Sequence, residues 1–182
     1  MRHSSIMRKK IPLEEALASV DFPVYGLPEE VLGLCYTDYT YFPNIARRHQ
    51  FTLNYQSERY APFRHEKVRG PTFSVSSFMN SCDWGDVKPE WYSAWWNPND
   101  IPLQDQRFLF VCNCSFSIDG TPLTGRITYR PAPLYHSTFW LYGQRLRLDG
   151  QALGPDPDDL IQILESLRVL NRKQGVKSSS QF

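Results

Sequence analysis

The sequence predicts an α+β domain built mainly on antiparallel sheet. After residue 50 apolar and polar residues alternate with a period of two, the signature of half-buried strands. Helical spacing is confined to the two ends and one Trp-rich stretch in the middle. Strand follows strand without the intervening helices that a parallel sheet needs. With 182 residues, 41% of them hydrophobic and 21% charged, the chain has enough apolar material for one core. Residues 1–10 read as a basic flexible tail, 11–175 as the single domain and 176–182 as a polar tail.

A first short helix begins at Pro12, where the fixed φ of proline suits a helix start. Leu13, Ala16, Leu17 and Val20 share one face, Glu14 and Glu15 complement the helix dipole, and Asp21-Phe22-Pro23 ends it. Pro28 suggests a second helical turn, with Val31, Leu34 and Cys35 directed inward. The aromatic run Tyr36 to Pro43 fits neither period clearly.

Phe51, Leu53 and Tyr55 form the inward phase of one strand, and Phe73 and Val75 that of another. The charged stretch from Glu58 to Gly70, which contains Pro62, reads as an edge strand or loop. Asp86 to Trp96 has helical spacing through Trp91 and Trp95, and Pro98 closes it.

The strongest strand signal runs from Arg107 to Ile118. Phe108, Phe110, Cys112, Cys114, Phe116 and Ile118 fall on one face. Asp119-Gly120 then turns the chain as a hairpin into Gly125–Arg130. Ser137, Phe139 and Leu141 make the next strand, Gly143 turns it, and Arg145–Leu148 returns. The last element is a helix with Asp156 as N-cap and Pro157 at its first position. Leu160, Ile163, Leu164, Leu167 and Leu170 form its apolar stripe, and Gly175 is its expected stop. Six or seven strands result, with the terminal helices covering one apolar face. A curled sheet or partly closed barrel is the alternative.

Composition excludes several classes of function. Twenty basic and nineteen acidic side chains leave a net charge of +1, so a wholesale nucleic-acid binder is disfavoured. No apolar run reaches the length of a membrane span. The basic stretch Met1–Lys10 lacks a following apolar segment and does not read as a signal peptide. The expectation is therefore a cytoplasmic protein with Cys35, Cys82, Cys112 and Cys114 reduced.

Motif chemistry is sparse. Cys112-Asn113-Cys114 has C-x-C rather than zinc-knuckle spacing, and both thiols share the phenylalanine face, so they read as core. Cys82 and Asp83 lie in a polar loop but match no catalytic signature. Phosphate-binding glycine loops, metalloprotease and nucleophile-elbow motifs are absent. No catalytic residue, metal ligand or cofactor is assigned.

Two features point to binding. Trp84, Trp91, Tyr92, Trp95 and Trp96 crowd a short segment, and one helix cannot bury both Trp91/Trp95 and Tyr92/Trp96. Arg126, Arg130, Arg145 and Arg147 all occupy the polar phase of their strands, where they are expected to line up as neighbours. The predicted contact surface is Trp91, Trp95, Trp96, Arg126, Arg130, Arg145, Arg147 and His136. The favoured function is a non-enzymatic binding protein for a protein partner or an anionic small ligand. The rivals are a small enzyme with a pocket between sheet and helices, using His136, Cys82 or Asp83, and an RNA or single-stranded nucleic-acid binder.

Overall fold

The computed structural model describes residues 11–45, 48–63, 70–79, 110–130, 136–144 and 146–172. Helix α1 spans Leu13–Ala18, strand β1 Tyr25–Gly26, β2 Cys35–Ile45 and β3 Arg48–Gln56. A 3₁₀ helix, Glu58–Phe63, leads to β4, Phe73–Met79. Then follow β5 (Phe110–Ile118), β6 (Thr121–Arg130), β7 (His136–Gly143), β8 (Leu146–Leu153), helix α2 (Pro157–Glu165) and β9 (Arg168–Val169). Both expected tails and the Trp-rich segment lie outside the described residues.

Strands β2 to β8 form one antiparallel sheet in the order β2-β3-β4-β8-β7-β6-β5. It joins two meanders, β2-β3-β4 and β5-β6-β7-β8, through the pairing of β4 with β8. Among the described residues β2 and β5 are its two edges, so the sheet is open rather than a closed barrel.

Alternation decides the two faces. Across the apolar face run the rungs Phe51–Ser77–Leu148–Leu141 and Leu53–Val75–Gly150–Phe139–Ile127. These residues are buried except for the half-exposed Gly150. Leu160, Ile163 and Leu164 of α2 and Ala16 and Leu17 of α1 are buried in the same core. The expected cover of terminal helices is present, with the β1–β9 ribbon added to it. Tyr25 anchors that ribbon: its N–H donates to Ser77 Oγ at 2.9 Å and its hydroxyl to Thr121 Oγ1 at 3.1 Å.

Four local expectations are corrected. No helical turn follows Pro28. Leu32 and Gly33 both have positive φ (52° and 73°), and Leu34 N–H donates to Val31 O at 2.9 Å, which makes a tight turn. Leu34 is buried, but Cys35 opens β2 and is exposed. Of the edge strand or loop expected over Glu58–Gly70, the edge strand is corrected: the described part, Glu58–Phe63, is a 3₁₀ helix, and β3 pairs directly with β4. Helix α2 ends at Glu165, ten residues before Gly175, and Leu167 and Leu170 lie beyond it. Ser166 Oγ donates to Gln162 O at 2.7 Å, and the chain then extends to pair Arg168–Val169 with Tyr25–Gly26.

The expected hairpin at Asp119-Gly120 is present, with positive φ at both residues, the geometry that matches strand twist. Pro122 sits in a strand without breaking a ladder. It lies beyond the start of pairing to β7, which begins at Thr124.

Candidate functional site

The second face of the sheet is polar, and its register brings together residues far apart in sequence. One rung reads Gln50–Phe78–Arg147–Tyr142–Thr124. The next reads Thr52–Ser76–Asp149–Trp140–Arg126, and the third Asn54–Ser74–Gln151–Thr138–Thr128.

A groove of about 300 Å³ opens on this face over the middle strands. Among the described residues it is lined by Gln50, Ser74, Ser76, Phe78, Thr138, Trp140, Asp149, Gly150 and Gln151. Five of these nine residues carry hydroxyls or amides, each of which can both donate and accept. Thr52 and Ser76 hydroxyls are 2.7 Å apart, and Gln50 Nε2 donates to both, at 3.1 and 3.3 Å. Thr128 and Thr138 hydroxyls are 2.6 Å apart on the far side. Trp140 is 37% exposed and lines the groove two strands away from Phe78 and one rung along.

Among the described residues the one charged group lining the groove is Asp149, and it is paired with Arg147 beside it. Arg147 Nη2 lies 2.8 Å from Asp149 Oδ2. The same guanidinium stacks over Phe78 at 4.2 Å from the ring centroid. Asp149 Oδ1 is buried without a hydrogen-bond partner among the described residues. Burial pushes the Asp149 carboxyl up to about 6, against the opposing pull of Arg147.

The structure places the predicted site residues unevenly. Arg126 and Arg147 are both on the polar face, as the alternation predicts. They are not neighbours. Strand β7 lies between β6 and β8, and Trp140 and Tyr142 stand where the arginines were expected to meet. Arg147 is also a salt-bridge partner rather than a purely solvated contact residue. His136 is exposed at the start of β7, opposite Arg130 and Leu153, and does not line the groove.

Arg145, the Arg130 side chain, Trp91, Trp95, Trp96, Cys82, Asp83 and the Cys112 side chain lie outside the described residues. Cys114 is half-buried and packed against the core, on the face expected for it. Among the described residues no cluster of histidine, cysteine or carboxylate side chains could hold a metal. Among them, too, no helix is long and apolar enough to cross a membrane.

The groove lies on the opposite side of the sheet from the helices. Among the described residues, the space between sheet and helices, the expected place of an enzyme pocket in the rival reading, holds the buried core around Phe139, Leu141 and Leu164. Sequence reasoning missed Trp140, Asp149, Gln151, Ser74 and Gln50. A signal was present for Trp140, which falls in the polar phase between Phe139 and Leu141. The others needed the strand order. Compared with protein-family models, curated proteins and solved structures, the chain matches none.

Proposed function

We propose that this chain is a binding protein whose contact surface is the arginine-bearing polar face of the sheet. Its ligand is a small polar molecule seated in the groove between Phe78 and Trp140. One observation carries this reading: hydrogen-bonding side chains of β3, β4, β7 and β8 converge on a groove flanked by aromatic rings. Its volume is at the lower end of small-ligand sites, roughly 300–1,000 Å³. We also propose a cytoplasmic location, in keeping with the exposed free thiol of Cys35.

The test is thermal unfolding of wild type and Ser74→Phe against neutral glycosides, citrate and inorganic phosphate. Ser74 lines the groove, and a phenyl ring there fills it. The reading expects at least one compound to raise the wild-type midpoint and to leave that of Ser74→Phe unmoved. Equal shifts in both proteins, or none in wild type, overturn it. A protein partner is the rival, and it requires that groove filling leave binding of that partner intact.

A further inference from the structure

We infer that the groove takes a neutral polyhydroxylated ring of the sugar class, stacked on Trp140. This rests on the binding reading above and names its ligand chemistry. Three features of the site lead to it.

The first is charge. Arg147 and Asp149 face each other at 2.8 Å, so the ionised pair offers the groove no net charge. An anion entering beside Trp140 meets the Asp149 carboxylate directly across the β7–β8 ladder. A cation meets a carboxylate that Arg147 already neutralises. Either ion loses water without a complementary charge in return. A neutral ligand avoids that cost.

The second is the hydrogen-bonding character of the lining. Gln151, Gln50, Ser74 and Thr138 present amides and hydroxyls, which donate and accept in equal measure. A ligand whose own groups all do both can satisfy them in many pairings. Hydroxyl groups have that property, whereas carboxylates and phosphates only accept and ammonium groups only donate.

The third is the aromatic wall. Trp140 is 37% exposed in mid-strand, on a face where, Phe78 apart, the side chains lining the groove are polar. The face of an indole carries partial negative charge and is apolar. A sugar ring has one face of C–H groups, weakly positive and poorly hydrated, with its hydroxyls directed outward around the rim. Stacked on Trp140, such a ring buries its C–H face and turns its hydroxyls to Gln151 and Thr138. A linear polyol lacks the flat face, and an aromatic ligand lacks the rim of hydroxyls.

Saturation-transfer NMR on the full chain tests this with the methyl glycosides of glucose, galactose, mannose, xylose and N-acetylglucosamine. Sodium glucuronate, citrate and inorganic phosphate are run beside them, with Ser74→Phe as the blocked groove. At least one neutral glycoside is expected to receive saturation from wild type and none from Ser74→Phe. Trp140→Ala should weaken that glycoside about tenfold, the effect of losing one aromatic contact. Trp140→Phe should restore part of it, and added salt should change little. If no glycoside binds while an anion does, and Ser74→Phe abolishes the anion, the sugar assignment is wrong and the groove remains a binding site. If no probe binds, or binding survives in Ser74→Phe, the binding reading falls with it.

Discussion

Arg147 and Asp149 are two residues apart on β8, share the polar face of the sheet, and meet at 2.8 Å. Their pairing is incomplete. Arg147 satisfies Asp149 Oδ2, while Oδ1 is buried without a hydrogen-bond partner among the described residues. Burial costs the carboxylate more than its arginine returns, so the acid stays weaker than an exposed aspartate. The groove floor therefore carries a charge pair that the fold tolerates rather than one that holds it together.

That imbalance predicts an unusual pH dependence. The Asp149 carboxyl stands near 3.8 when unfolded and is pushed up to about 6 in the folded protein. Between those values the folded state holds more protons than the unfolded state, so stability falls as pH rises from about 4 to 6. A carboxylate stabilised by its partner gives the opposite slope. Asp149→Asn keeps the shape and can still accept from Arg147, but removes the titration. We expect it to flatten this part of the stability profile and to raise stability at pH 7 by up to about 3 kcal/mol, the worth of two pKa units. Urea unfolding of both proteins at pH 4, 5, 6 and 7 measures it. Parallel profiles would show that Asp149 does not titrate in this range.

Arg147→Gln should act in the other direction. At pH 7 it deprives the Asp149 carboxylate of its guanidinium, so that the carboxyl titrates higher still, and it removes the cation from the face of Phe78. The expected loss is about 1–3 kcal/mol, the cost of an ionised hydrogen-bonding group left without its partner. Near pH 4, where Asp149 is neutral, most of that loss should disappear. An equal loss at both pH values would make Arg147 a packing residue and not a charge partner.

Gly150 is a packing requirement. A methyl group there would run into the Ser74 carbonyl oxygen and the Phe139 ring. Both obstacles are fixed: the carbonyl belongs to the neighbouring strand β4, and Phe139 is fully buried. Gly150→Ala should therefore part β4 from β8, the pairing that joins the two meanders. We expect a loss of several kcal/mol, large against a domain stability of about 5–15 kcal/mol, with much of the protein insoluble. Gly120→Ala is the control, since nothing lies within 4 Å of the added carbon and only its φ of +78° opposes it. If Gly150→Ala melts within a few degrees of wild type, the two meanders are not held as closely as described.

The strands were legible because burial on one face imposes a period of two, and Phe51 to Tyr55 and Phe139 to Leu141 obey it. Asp119-Gly120 was legible because few dipeptides favour positive φ at both positions. Asp149-Gly150 has the same composition yet lies in the middle of β8, where Gly150 serves close packing instead of a turn. The end of α2 was hidden because Leu167 and Leu170 continue the helical spacing while packing from an extended segment. Two-residue strands such as β1 and β9 leave no periodic trace. The groove was hidden for a different reason. Alternation places Arg126, Trp140 and Asp149 on a polar face one strand at a time, but only the strand order puts Trp140 between the other two.

The C-terminal segment supplies the last prediction, through Asn171. Its Nδ2 donates to Phe22 O at 2.8 Å and Val20 O at 3.3 Å, and its Oδ1 accepts from Val24 N–H at 2.9 Å. Leu170 N–H donates to Val24 O at 2.8 Å beside them. One amide thus closes the connection from α1 to β1 against the chain that follows α2, about 150 residues away in sequence. Val24 is fully buried, so its N–H cannot turn to water if the amide is removed. Asn171→Ala leaves that donor unsatisfied, at a cost of about 1–3 kcal/mol. Asn171→Asp retains the acceptor for Val24 but sets a carboxylate against two carbonyl oxygens, and should be destabilising as well. Urea unfolding reads the global loss, and hydrogen exchange reads its location: Val24 and Leu170 amides should exchange faster in Asn171→Ala, while Leu148 in the sheet centre follows only the global change. Unchanged protection at Val24 would mean that the two chain ends are held together by apolar contact alone.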